Sequence, residues 1–284
     1  MLIRLGYDIQ FNVSGSVPIV ALLNVHPSRD RDLVEPDVLR TDPPLPVNVY
    51  VDGFGNRCAR FVAPPGPLRL TNSTLIHDSG EPDPVNWNAR ECAVGDLPPG
   101  VLTYLLNSRY CEVDRFSNIA FDLFGDSKPG WARVQSICDW VNHKVTFDYR
   151  QARPTKSALD VFTERVGVCR DFQHLAITFC RALNIPARYA TGYLGDIGVP
   201  PGGPMDFSAW FEVYLEDRWW TWDARHNTPR IGRVLMATGR DASDVAITTS
   251  FGQANLSSFF VVTEQEAEKP ASVPLSARVL EPQI

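Results

Sequence analysis

A change of hydrophobic period near residue 100 limits what this chain can fold into more than any other feature. Up to about Thr74 the apolar residues alternate, as in "LIRLGYDIQFNV", "PIVALLNV" and "VNVYVDGFGNRCARFVA", and clusters such as "TDPPLPV", "DGFGN" and "APPGP" separate the runs. Alternation broken by Pro and Gly is the pattern of extended strands with turns between them. The stretch 76–99 is polar and Pro-rich with no sustained period, and reads as a linking segment. Beyond it the spacing becomes helical: Trp131, Val134, Ile137, Cys138 and Val141 fall on one helix face. Ser157 caps a second helix, with Asp160 three residues on at its positive end. A third helix follows Cys169, with Phe172, Leu175, Ala176, Phe179 and Leu183 at core spacing and Pro186 soon after to stop it. Strand-like runs then return as "ARYATGYLG", "DFSAWFEVYL" and "RWWTWDAR".

Helices followed by an antiparallel sheet define an α+β class. The expected organisation is a β-sandwich-like N-terminal domain with linker over 1–100, a core over 101–264 and a flexible tail over 265–284. A chain of 284 residues, 44% of them hydrophobic, can bury that much core. Its net charge of -6 lacks the basic field that nucleic acid or an anionic membrane selects, so neither is an expected partner. The N-terminal residues lack an apolar leader core, and no run is long enough to span a bilayer, so the expected location is cytoplasmic. The six cysteines have no paired zinc spacing, which points to reduced thiols and to no metal or cofactor. Cys58, Cys92, Cys111, Cys138 and Cys180 read as packing residues.

Cys169 differs because it opens a helix. Unpaired N–H groups and the positive dipole end favour thiolate there, and the same groups can hold an oxyanion. A thiol nucleophile also needs a base and a group to orient that base. If Glu216 and Asp217 form the tip of a two-residue hairpin, Leu215 pairs with Arg218 and Trp210 with Asp223. Ser208 is then diagonal to Asp223, with Arg225 on the same face.

The strings "GVCRDFQHLAITFCRALNIPARYATGYL" and "DFSAWFEVYLEDRWWTWDAR" resemble the core of bacterial transglutaminase-like proteins over about Ser157 to Asn227. The resemblance implies a papain-like fold and a cysteine–histidine–aspartate site, with Cys169 matching the nucleophile and Asp223 the aspartate. Where that family has its histidine, this chain has Ser208, and a hydroxyl cannot take the thiol proton near neutral pH. Of the five histidines, His26 and His77 lie in the β half, His143 ends a helix, and His174 points away from Cys169 round the helix. His226 remains as a substitute base, although regular alternation sends it to the face opposite Asp223 unless a bulge or turn intervenes. Arg225 reads as an ion-pair partner of Asp223 or an anion-binding residue, and Trp210 as one of four tryptophans able to wall a substrate cleft.

Two functions follow from these residues. One is cysteine-dependent acyl transfer or hydrolysis acting on glutamine side chains or peptide amides, with a peptide or protein as substrate. The other is a catalytically degenerate relative that binds a peptide or protein without turnover. A lesser possibility makes the N-terminal β domain the functional surface.

Overall fold

The computed structural model describes residues 1–202 and 205–266. The first strands are β1 (Leu2–Val13), β2 (Val17–Ala21), β3 (Arg40–Asp42), β4 (Asn48–Val51), β5 (Arg57–Ala63) and β6 (Gly66–His77). The helical part holds α1 (Pro99–Leu102), α2 (Ser117–Phe124), α3 (Trp131–Lys144), β7 (Thr146–Phe147), α4 (Ala158–Glu164), β8 (Val166–Gly167) and α5 (Cys169–Ala182). Then follow β9 (Ala187–Tyr193), β10 (Phe207–Leu215), β11 (Arg218–Trp222), β12 (Val234–Gly239), β13 (Thr248–Ser250) and β14 (Ala254–Gln265). The class is α+β, with a sandwich-like N-terminal region ahead of a helix-on-sheet core.

Two four-stranded sheets, in the orders β14-β1-β6-β3 and β13-β2-β5-β4, face one another across a shared apolar layer. On β1 the inward residues Ile3, Leu5, Tyr7, Ile9, Phe11 and Val13 are all buried, as period-two alternation requires. The core sheet runs β11-β10-β9-β12 and is antiparallel throughout. Helix α5 packs on this sheet, with α3 and α4 against its other side. The predicted faces of α3 and α5 are buried residue for residue. At α4, Ser157 and Asp160 form the reciprocal cap that fixes the helix start.

The division at residues 100 and 264 requires correction. Strands β13 and β14 leave the core and pair with β2 and β1, so the sandwich is completed by the end of the chain. The physical reason is edge satisfaction: eleven residue pairs join β1 to β14 and supply partners for β1's second edge. Tyr193, Phe207, Val234 and Met236 of the core sheet are buried in the same apolar layer as the sandwich, which ties the two regions together. The tail expected from 265 lies, beyond Glu266, outside the described residues. Among the described residues no helix is long and apolar enough to cross a membrane.

Helix α5 is held from both ends. Arg181, 1% exposed, donates to the carbonyls of Ala187, Leu106 and Arg240, closing loops onto the helix C-terminus. In mid-helix Phe179 meets Phe116, Phe124, Trp140 and Phe162, with ring centroids 5.1–6.1 Å away. Phe179→Ala should therefore cost about 3–5 kcal/mol of folding free energy, read as a lower urea midpoint at unchanged slope.

Candidate active site

Three short devices set Cys169 at the head of α5. The parallel pair β7–β8 fixes the approaching chain, with Phe147 opposite Gly167. Gly167 allows the helix to start immediately, because a Cβ there would lie 2.7 Å from the Cβ of Asp171. Asp171 then accepts the N–H of Val168 at 3.0 Å, satisfying an end group of the first turn.

The Cys169 sulfur opens on a cleft arm of about 440 Å³, lined in part by Tyr110, Tyr189, Thr191, Asp206 and Ser208. A second arm of about 490 Å³ carries Phe147, Tyr149, Arg225, His226 and Arg230. Asp206, Phe207 and Ser208, at the start of β10, belong to both arms and form the ridge between them.

Asp223 follows the last residue of β11 and is buried, yet five N–H groups reach it. Oδ1 accepts from Gln173 Nε2 at 3.1 Å, Arg225 N at 2.9 Å and His226 N at 3.1 Å. Oδ2 accepts from His226 Nδ1 at 2.8 Å and Arg233 at 3.0 Å. Burial alone would raise the carboxyl pKa, but the Arg233 charge and the His226 contacts outweigh it and hold the group well below the usual carboxylate range. Gln173 lies one turn beyond Cys169 on α5, and its Oε1 also accepts Ala224 N at 3.1 Å. It ties the cysteine helix directly to the aspartate turn.

The hairpin register is Leu215 against Arg218 and Phe211 against Trp222, with positive φ at Glu216 and Asp217. That is the type I′ geometry a two-residue loop needs. Simple alternation sent His226 away from Asp223, whereas the strand stops at Trp222 and the backbone N–H groups of Arg225 and His226 curl onto Oδ1. The turn returns the imidazole to Oδ2, where Nδ1–H donates and Nε2 is left as the ring's acceptor. Ser208, expected beside Asp223, makes no bond to it: its buried hydroxyl has no partner. Arg225 contributes only its backbone to Asp223, and the side-chain partner is Arg233, on a different segment. Trp210 does not wall the cleft. It is 2% exposed, packed at Gly192, with the Arg233 guanidinium 5.2 Å from its ring centre.

The thiol also departs from expectation. A helix start favours thiolate, and both the Arg225 charge and the Arg170 backbone N–H act in that direction. Burial of the sulfur dominates, with Asp206 and Asp223 adding to it, and the Cys169 pKa is pushed up to about 11. Cys58, Cys111, Cys138 and Cys180 are buried as read, but Cys92 is half-exposed, its sulfur 3.9 Å from Asp217.

Gln173, Arg233 and Asp206 were not singled out from sequence. Gln173 had a signal, since four residues after Cys169 places it on the same helix face. Asp206 had a weaker one, two residues before Ser208 on the same strand side. Arg233 had none, because its approach depends on a loop.

Against this geometry, the Transglutaminase-like superfamily profile matches residues 117–224, a span that runs from α2 through Cys169 to Asp223. The crystal structure of a candidate cysteine protease from Cytophaga hutchinsonii superposes with a TM-score of 0.82 at 30% identity, covering 93% of this chain and 90% of that one. The uncharacterized protein ML0607 of Mycobacterium leprae is 27% identical over 208 residues, 69% of this chain and 73% of that protein. The uncharacterized protein Rv2569c of Mycobacterium tuberculosis is 28% identical over 220 residues, 68% of each. Fold and matches together define a papain-like helix-and-sheet core carrying a cysteine at a helix head. The chain belongs to the transglutaminase-like superfamily.

His174 is excluded as a base by its surroundings. Its ring is fully buried between Tyr110 and Tyr189, with centroids at 4.9 and 5.2 Å, and Nε2 accepts the N–H of Ala242 at 3.1 Å. Burial pushes its pKa well below the ordinary 6.5, against the opposing charge of Asp241. The unfolded chain therefore takes up this proton first as pH falls. Stability from the neutral buried ring is fully present above about 6.5 and declines below it. Urea unfolding from pH 7.5 to 4.5 should show that decline, and His174→Gln should flatten it; an unchanged slope would assign it to other groups.

Proposed function

We propose that this protein is a cysteine-dependent amide hydrolase or acyltransferase in which Cys169 forms a thioester with the carbonyl of a glutamine side chain or peptide amide. The observation that carries the reading is the Asp223–His226 pair, an oriented imidazole in a cleft that shares its Ser208 ridge with the Cys169 arm. On this reading Ser208 stands at the family's histidine position, and His226 supplies the missing nitrogen from the other flank of Asp223.

The Cys169 S–H proton passes to His226 Nε2 as sulfur bonds to the carbonyl carbon. First-turn N–H groups of α5 stabilise the oxyanion. His226 returns the proton to the departing nitrogen, releasing ammonia or an amine, and water or a second amine cleaves the thioester.

A specific observation also favours a second reading, binding of a peptide or protein without turnover. The thiol pKa of about 11 and the partnerless Ser208 hydroxyl describe a site whose nucleophile is protonated at rest.

Turnover decides between them. Ammonia release from glutaminyl peptides and cleavage of peptide amides should be measurable with purified protein and absent in Cys169→Ala. His226→Gln should lower kcat by about 10²- to 10⁴-fold, the usual contribution of a general base. If the wild-type chain is inactive and Ser208→His gains Cys169-dependent turnover, the degenerate reading holds instead.

A further inference from the structure

The turn that presents His226 leaves Arg225 with an uncommitted charge. Its backbone N–H is taken by Asp223 Oδ1, while its guanidinium lies over the Phe147 ring at 3.8 Å from the centroid. Among the described residues no carboxylate stands within ion-pair distance of that guanidinium, and Asp223 is already engaged by Arg233 and His226. Stacking on an aromatic face fixes the plane of the guanidinium and leaves its edge N–H donors open. The residue is half-buried and lines the cleft arm beside Ser208 and His226. Its charge also reaches the Cys169 thiol.

The same arm contains Arg230, 7% exposed, which donates to the Gly195 carbonyl at 2.9 Å and has no partner at Nε. Two acids face these cations. Asp196 is occupied by Gly202 N at 2.6 Å and lies 3.8 Å from Arg230. Asp206 lines both arms and acts electrostatically on Arg225 and Cys169 without a salt bridge to either. A planar fork of free donors, stacked on Phe147 in the arm that adjoins the Cys169 arm, is matched by a carboxylate, whose two oxygens can accept in parallel.

We propose that this arm is a carboxylate subsite: the substrate of Cys169 carries a carboxylate close to the scissile amide, and the Arg225 fork binds it. The inference rests on Cys169 being the nucleophile. A terminal carboxylate and an Asp or Glu side chain present the same chemistry.

Alkylation tests this without a known substrate. In each reaction the Cys169 sulfur displaces iodide from carbon and its proton goes to solvent. Rates are measured by mass spectrometry with anionic iodoacetate and neutral iodoacetamide, and their ratio is compared with that of N-acetylcysteinamide. The ratio at Cys169 should exceed that of the free thiol, fall about tenfold in Arg225→Gln, be partly kept in Arg225→Lys, and rise in Asp206→Asn. If both rates fall together in Arg225→Gln with the ratio unchanged, Arg225 only stabilises thiolate and the subsite is overturned. If folded protein reacts with neither reagent at Cys169 even at raised pH, where more thiolate is present, the sulfur is inaccessible, and the nucleophile reading fails and takes the subsite with it.

Protection of Cys169 against iodoacetamide then separates the sources. Protection by acetyl-glycyl-glycine supports a terminal carboxylate, and protection by acetyl-aspartyl-glycinamide supports an acidic side chain. Equal protection by neutral acetyl-glycyl-glycinamide would overturn the proposal.

Discussion

The cleft beside Cys169 is organised around one buried anion. Asp223 gathers donors from α5 (Gln173), from its own turn (Arg225 and His226) and from the segment leading into β12 (Arg233). A buried carboxylate without such donors would be strongly destabilising or would protonate, and stripping a single charged partner from a buried pair costs about 3–5 kcal/mol. The elements that converge on Asp223 are therefore locked into one arrangement by an electrostatic requirement. Arg233 extends the lock outward, since it also binds Asp83 at 2.8 Å and so anchors the segment that links the two regions of the chain.

This arrangement explains how a turn can add to the site groups that no strand could place together. The sheet brings Ser208 to the cleft through ordinary alternation, but a strand can offer only every second residue to one face. By ending at Trp222, β11 escapes that limit. Asp223, Arg225 and His226 then deliver a carboxylate, a cation and an imidazole within four consecutive positions. Turning the chain with the carboxylate's own backbone bonds is what makes this dense placement possible.

Much of the scaffold was legible because it follows from period and end chemistry. The faces of α3 and α5, the Ser157–Asp160 cap and the hairpin over Glu216 and Asp217 depend on residues a few positions apart. What escaped depends on contacts between distant segments or on a balance of opposed terms. Strand β14 pairs with β1 across more than 240 residues, and no local pattern marks that partner. The position of His226 turned on where β11 stops, which is set by backbone donors to Asp223 and not by hydrophobicity. Trp210 was placed on the right strand, whereas Arg225 lies in the turn beyond β11; the choice of guanidinium for Asp223 went to Arg233, and the closeness of Gly192 drew Trp210 into the core.

The thiol shows why sign as well as position must be argued. Helix-end N–H groups and Arg225 favour the thiolate, while burial and two nearby carboxylates oppose it, and the opposing set is larger. With a pKa near 11, only about one thiol in 10⁴ is ionised at neutral pH. The resting thiol is therefore protonated, and on the proposed reading its proton has to be removed for sulfur to attack. On the proposed reading, that shifts the demand from electrostatic activation of sulfur to the placement of a base, and the imidazole that Asp223 orients is the group offered for it.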